Sequence, residues 1–144
     1  RQRQMCIRDS SYSELFDKLE KNYPEDVCFE VCSRLAELGI INDRRYAEKL
    51  CRQLFEVKKL GKYRVRQEMR MKGIPGDIID ETLEEFAEED DSFARLEELV
   101  EKKYERYLVD RKGVEKVKAA LARKGYSYGE IREVLDLYDL DFEE

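Results

Sequence analysis

Several residue types that carry catalytic or metal chemistry are absent or scarce in this chain of 144 residues. It has no histidine, which excludes a histidine-based catalytic triad, zinc ligation by histidine and imidazole acid–base chemistry. With only 2 prolines and 7 glycines it also has too few turn-forming residues for a typical β-sandwich or barrel. No apolar run approaches the roughly 18 residues of a membrane helix, and no glycine-rich phosphate-binding motif is present.

What the chain has in abundance is charge. Lys and Arg number 28 against 34 Asp and Glu, charged residues make up 43% of the chain, and hydrophobic residues make up 42%. So large an apolar share predicts a folded domain, because disordered chains combine high charge with few apolar residues. The net charge of −6 does not by itself favour a nucleic-acid ligand.

The cysteines fit a reduced, cytoplasmic protein better than a metal or disulfide site. Cys6, Cys28, Cys32 and Cys51 form no Cys-x-x-Cys pair. Cys28 and Cys32 lie one helical turn apart, but no further cysteine follows close by to complete a metal site. We therefore predict that both are buried apolar positions, with no metal and no cofactor.

The apolar residues recur at steps of three and four from Ser10 onward, which predicts helices throughout. Ser11 with Glu14 and Ser127 with Glu130 match the capping box. Four glycines are placed where helices should stop, in the left-handed conformation, at Gly39, Gly61, Gly73 and Gly125. The predicted helices span residues 11–21, 25–38, 43–57, 62–72, 76–88, 91–109, 113–124 and 128–140.

The chain also repeats itself with a period of 51 or 52 residues. Each copy joins two helices through Lys-Gly or Lys-Asn, followed by an apolar residue that can pack on the next helix as a hydrophobic staple. In the first copy Asn22 takes the left-handed position. The matching sets are Tyr23, Cys28, Val31, Cys32 and Leu35; Ile74, Ile79, Thr82, Leu83 and Phe86; and Tyr126, Ile131, Val134, Leu135 and Tyr138.

This period predicts an all-α protein of three tandem three-helix repeats: a partial first repeat at 10–39, a second at 40–89 and a third at 90–144. The first repeat lacks a credible first helix. Residues 1–9 show no helical pattern and resemble a translated sequencing adapter, with a frayed natural tail as the alternative. For the repeat as a whole, the alternative is one irregular helical bundle.

Basic and acidic residues alternate in blocks along the chain. Residues 57–72 hold seven basic residues against Glu68, and residues 102–124 hold nine against three acids, whereas 76–101 and the tail are acidic. Cations weaken a helix N-terminus, so the first block indicates binding more than folding. Inside it, Tyr63 is expected to pack partly in the core, with stacking on a base or a partner side chain as the alternative. The run 88–91 reads as a solvated acidic turn.

Three segments together resemble the RecX family of regulatory proteins. They are Leu38–Ala47 (LGIINDRRYA), Lys59–Ile74 (KLGKYRVRQEMRMKGI), and Lys124–Ser127 with the following Ile131, Val134 and Leu135. The resemblance covers residues 10–140. The fold that it implies, three tandem three-helix repeats, agrees with the period found from the residues alone.

The resemblance implies a non-enzymatic, cytoplasmic regulator, expected to be a monomer, that binds the RecA filament on single-stranded DNA. Such proteins usually inhibit strand exchange, ATP hydrolysis and the co-protease activity of the SOS response. The alternative is a helical-repeat protein that binds DNA directly. The residues predicted to contact the partner are Lys58, Lys59, Lys62, Arg64, Arg66, Arg70 and Lys72, and then Lys116, Lys118, Arg123 and Lys124.

Overall fold

Every regular element is helical in the computed structural model, which describes residues 10–89 and 92–140. The all-α prediction is therefore confirmed. Expectations for residues 1–9, including Cys6, and for the side chains of 88–91 lie outside the described residues. The helices are α1 (Tyr12–Glu20), α2 (Glu25–Glu37), α3 (Asp43–Arg52), α4 (Lys62–Met71), α5 (Gly76–Glu89), α6 (Ser92–Leu99), α7 (Arg111–Arg123) and α8 (Tyr128–Leu135).

Helices α3 and α6 continue into segments that are not α-helical. After α3 the chain forms a π-helical segment at Gln53–Val57. After α6 it forms a π-helical segment at Val100–Tyr104 and a short 3-10 helix at Glu105–Tyr107. Helix α8 ends five residues before its predicted boundary, because the amides of Leu137 and Tyr138 bond to carbonyls three residues back, at 3.2 and 3.1 Å. The apolar period continues there although the α-helix does not.

The predicted capping boxes at the starts of α1 and α8 are both formed. The Ser11 hydroxyl accepts from the Glu14 amide at 3.0 Å, and the Glu14 carboxylate accepts from the Ser11 amide at 3.2 Å. The corresponding distances at Ser127 and Glu130 are 3.1 and 2.9 Å. Each pair satisfies two amides that no helical carbonyl reaches, so the two helices begin where the sequence predicts.

The predicted left-handed stops hold at Gly39, Gly73 and Gly125, whose φ angles are 73°, 79° and 100°. They are wrong at Gly61 and at Asn22. Lys59, with φ 57°, is the one described non-glycine residue with positive φ, so it makes the turn that we assigned to Gly61. Gly61 is needed for space instead, since a Cβ there would lie 2.4 Å from the carbonyl carbon and oxygen of Gly125.

The repeat predicts the buried positions well in its second and third copies. Ile79 and Ile131 are buried, as are their predicted staple partners Ile74 and Tyr126. The first copy departs from this pattern: Cys28 and Cys32 are buried, but Tyr23 is 54% exposed and Val31 is 40% exposed. The staple predicted for Tyr23 is therefore wrong, and Val31 differs from its buried counterparts.

The described residues divide into two compact units, 10–52 with 66–84, and 53–65 with 85–89 and 92–140. In the first unit, Leu15, Cys32 and Ile41 form a core against which Tyr12, Phe16, Leu19 and Leu35 pack. In the second unit, the core joins α6, α7 and α8 and includes Leu96, Leu99, Val100, Val114, Val117, Leu121, Tyr126, Ile131, Val134 and Leu135.

We expect Gly61→Ala to destabilise the protein by about 1–3 kcal/mol, the range of overpacking in a tight site. The added methyl would meet the backbone of Gly125, which cannot rotate away as a side chain can. Gly129→Ala is the matched control, because a Cβ at Gly129 meets nothing within 4 Å. Urea unfolding of both variants measures the difference, and equal stability of the two would contradict the close contact.

We expect Ile131→Ala to cost about 2–5 kcal/mol, as other large-to-small core changes do. Val31→Ala is the comparison within the repeat, and we expect it to cost well under about 1 kcal/mol because the valine is already partly in water. Thermal or urea unfolding checks both values. An unchanged melting temperature for Ile131→Ala would show that the repeat register is wrong.

Candidate interaction site

The end of α7 meets the start of α4 within the second unit. The Gly61 amide donates to the Lys124 carbonyl at 2.7 Å, and the Tyr63 amide donates to the Gly125 carbonyl at 3.3 Å. The Arg64 guanidinium adds a bond of 3.2 Å to the Arg123 carbonyl. Carbonyls at the end of α7 that have no partner within their own helix therefore accept hydrogen bonds from amides at the start of α4, which also lack one. We call this contact the glycine junction.

The glycine junction changes how the cations at the start of α4 are understood. From the sequence alone they oppose the positive end of that helix. In the structure, the negative end of α7 lies against the same point, and cations are favourable near such an end. The charge pattern is therefore less unfavourable to folding than the sequence suggests, and it no longer indicates binding by itself.

Two basic stretches that are far apart in sequence come together at the glycine junction. Lys124 is half-buried, and burial lowers its pKa below the usual value of 10.5, with further lowering from the charges of Lys103 and Arg64. Like charges held so close make the site attractive to an anion. We define the basic cluster by the residues at this junction, which are Lys59, Lys62, Arg64, Lys103, Arg123 and Lys124.

An acidic side chain on α6 lies close to the basic cluster. Glu98 on α6 has a lowered pKa, first because Lys102 hydrogen-bonds to it at 2.7 Å and also because of the charges of Lys102 and Lys59. This pair lies four residues apart on an exposed helix face, and such pairs contribute little to stability. The cluster therefore keeps a clear excess of positive charge.

Tyr63 lies in the middle of this positive region and is 57% exposed, so the expected partial core packing is wrong. The Lys62 ammonium lies 5.4 Å from the centre of its ring, which places an exposed aromatic face beside a cation. This combination suits a nucleic-acid base or a planar side chain of a partner.

The other predicted contact residues lie outside the basic cluster, although Lys58 adjoins it, directly before Lys59. Arg66, Arg70 and Lys72 belong to the first unit, where Arg66 forms an ion pair with Asp80. In the second unit, the Lys118 ammonium forms an ion pair with the Glu115 carboxylate, with 3.6 Å between Nζ and Oε1. Lys118 also lines a surface pocket of about 380 Å³ between α7 and α8, together with Ala119, Ala122, Tyr128, Ile131 and Arg132. Lys58 and Lys116 are exposed.

The described residues give no support to a metal centre. Among them, no group of three or more Cys, Asp or Glu side chains is placed to hold an ion. Cys28 and Cys32 are fully buried, as predicted, and burial raises the pKa of both thiols. In the same described part of the chain, no helix is long and apolar enough to cross a membrane.

Two features of the site were missed by sequence reasoning. Lys103 was counted only as part of a basic stretch, because nothing in the sequence pairs it with Lys124. Gly61 was assigned to a helix stop, although a glycine directly before a helix without a capping side chain also signals close backbone approach.

The comparisons with known proteins agree with one another. The family model described as the second three-helix domain of RecX matches residues 42–83, and the one described as the third matches residues 89–135. The regulatory protein RecX of Chlorobium phaeobacteroides is 36% identical over 132 residues, covering 90% of this chain and 84% of that protein. The chain belongs to the RecX family.

Other RecX proteins extend this result from sequence to structure. The regulatory protein RecX of Trichlorobacter lovleyi is 30% identical over 133 residues, which is 90% of this chain and 86% of that protein. The crystal structure of RecX from Lactobacillus salivarius superposes with a TM-score of 0.76 at 28% identity, over 89% of this chain and 84% of that one. The three-helix repeats and the RecX resemblance are thereby confirmed.

Much of the RecX-like segment Leu38–Ala47 serves the fold of the first unit. The Asn42 side chain accepts from the Arg45 amide at 3.1 Å, and the Asp43 carboxylate accepts from the Tyr12 amide at 2.8 Å. The Arg45 guanidinium binds the carbonyls of Gly39 and Ile40, while Tyr46 and Ala47 are buried. These polar groups close the turn between α2 and α3.

We expect Lys124→Gln to leave the free energy of unfolding unchanged or slightly higher, because the folded state penalises the charged form. Below the lowered pKa that penalty is fully present, and it disappears as the pH rises towards 10.5. The advantage of the variant over the wild type should therefore shrink as the pH rises through the lowered pKa towards 10.5. Urea unfolding across this range measures it, and a strong loss of stability in the variant at neutral pH would contradict the repulsion.

Proposed function

We propose that this RecX-family chain binds the RecA filament on single-stranded DNA and inhibits its recombinase, ATPase and co-protease activities. In this role it regulates DNA repair and the SOS response, as a cytoplasmic monomer without catalytic activity of its own. Membership of a family of regulatory proteins supports the regulatory part of this proposal. We choose an anionic partner because two basic stretches of the chain meet at the glycine junction.

The chemistry of the basic cluster suits such a filament. A protein filament on DNA presents phosphates and acidic side chains, and several fixed cations bind such a surface better than the same charges spread along a chain. A bound anion would offset the repulsion of Lys124 by the charges of Lys103 and Arg64, although the effect of burial on its pKa would remain. The acidic stretch 76–101 would disfavour nonspecific binding to nucleic acid elsewhere on the molecule.

The test is RecA-catalysed ATP hydrolysis on single-stranded DNA, titrated with this protein. We expect inhibition by the wild type and a loss of at least about tenfold in potency for Lys58→Glu with Lys62→Glu, because both side chains are exposed and face the partner with the wrong charge. The salt dependence of wild-type inhibition should be steep. Wild-type protein without any effect on RecA activity would contradict the proposed function.

The control for this experiment is Lys21→Glu with Lys112→Glu. It changes the net charge by the same amount at two exposed positions outside the basic cluster. We expect the control to inhibit as the wild type does. Arg66 is left out of the reversed set because Arg66→Glu would place a second carboxylate against Asp80 and confuse folding with binding.

Direct binding of DNA is the second candidate function. The exposed Tyr63 beside Lys62 favours it, since an aromatic face next to a cation is typical of single-strand binding surfaces. Fluorescence anisotropy with a labelled oligonucleotide, in the absence of RecA, separates the two. Tight binding that falls steeply with added salt would favour direct DNA binding.

A further inference from the structure

A buried cation lies in the core of the second unit, where an apolar residue would suffice for packing. Arg95 on α6 is 8% exposed, and its guanidinium carbon lies 4.6 Å from the centre of the Phe55 ring and 5.8 Å from that of Phe86. The two phenyl rings stack on each other with centres 4.6 Å apart. Burying an arginine costs stability unless it is well compensated, and the rings supply only part of that compensation.

Arg95 also acts on Tyr126, which itself is 4% exposed, because its charge and hydrogen bonding favour the ionised phenol. The Tyr126 hydroxyl donates to the backbone carbonyl of Lys59 at 2.6 Å. Burial raises the pKa of Tyr126 while Arg95 opposes the rise, so the hydroxyl keeps its proton at neutral pH. A phenol has one proton to donate, and in Tyr126 that proton goes to the Lys59 carbonyl.

The carbonyl that receives this bond belongs to the strained residue of the basic turn. Lys59 has φ 57°, a conformation that is costly for a residue with a Cβ and that persists only when its surroundings hold it. The amides of Lys58 and Leu60 bond back to the π-helical segment, and that of Gly61 bonds to Lys124. Residues 58–61 are thus fixed from the backbone side, which directs Lys58 and Lys62 to solvent.

We propose that Arg95 and Tyr126 are positioning residues for the basic cluster: through the hydrogen bond to Lys59 they hold the turn 58–61 in the form that presents Lys58 and Lys62 to the partner. The inference rests on the proposed function, since it explains the buried Arg95 and Tyr126 by their effect on the surface that binds the partner. A purely structural role for the same chain is the rival explanation.

Tyr126→Phe removes the hydroxyl and keeps the ring. We expect it to weaken filament binding roughly three- to tenfold, the range for one lost hydrogen bond that fixes a binding surface. Tyr138→Phe is the matched control, the same change at a half-buried tyrosine on the edge of the same core, and it should bind as the wild type does. Arg95→Met should also weaken binding while leaving the melting temperature equal or higher, which a merely structural residue would not do.

A double-mutant cycle supplies the decisive measurement. In the Lys58→Glu, Lys62→Glu background, Tyr126→Phe should cause no further loss of binding, because the two exposed cations that the turn presents are then absent. Additive losses would overturn the positioning role. NMR one-bond Cα–Hα couplings of Lys59, which report the sign of φ, should shift in Tyr126→Phe without any filament present.

The NMR measurement also separates the two possible failures. An unchanged Lys59 coupling in Tyr126→Phe overturns the positioning role even if the charge reversal abolishes binding. A charge reversal without effect on filament binding overturns the purpose assigned to the turn, even if the coupling shifts. Wild-type protein that does not bind the filament at all overturns the proposed function itself.

Discussion

The close contact of two glycines is the constraint on which the second unit depends. Gly61 and Gly125 let two chain segments approach until backbone meets backbone, and only then do the amides of Gly61 and Tyr63 reach the carbonyls at the end of α7. The first unit contains a related arrangement, in which the Ser11 hydroxyl at the start of α1 donates to the Lys72 carbonyl at 2.5 Å beside Gly73. In both units the lysine carbonyl of a Lys-Gly pair at the end of one helix accepts a hydrogen bond from the start of another helix. The sequence repeat is therefore also a repeat of this contact.

Much of the fold follows from local sequence signals. The period of three to four, the capping serines and the glycine stops place the helices of the described residues correctly, because each signal acts within one turn of the chain. The errors have a common cause in contacts between distant segments. Gly61 makes room for a neighbour 64 positions away, and Lys59 has positive φ while its carbonyl accepts from Tyr126. Val31 is exposed where its counterparts are covered. No window of sequence contains both partners of such contacts.

The candidate site was predictable in outline only. The two basic stretches were visible as blocks of charge, but a block does not show which side chains converge, and Lys103 joins Lys124 only through the folded chain. Arg66 was grouped with its neighbours although it forms an ion pair with Asp80. The RecX-like segments likewise mix two kinds of residue: Asn42, Asp43 and Arg45 close a turn in the first unit, whereas Lys59, Lys62 and Arg64 belong to the basic cluster.

The two π-helical segments have a consequence for how the chain tolerates changes of length. A π-helical turn holds one residue more than an α-helical turn, so deleting a residue from Gln53–Val57 or Val100–Tyr104 would let the helix close as a regular α-helix. The helix would survive, and the residues after it would face nearly the same direction, because four α-helical residues turn the chain about as far as five π-helical residues do. Lys58 and Lys59 follow the first segment directly, and Lys102 and Lys103 lie within the second. A single deletion at either place would thus leave the cations of the surface facing the same way, whereas a deletion within a regular α-helix would rotate everything after it by about 100°. The two π-helical segments are therefore places where the chain can lose a residue and keep its surface.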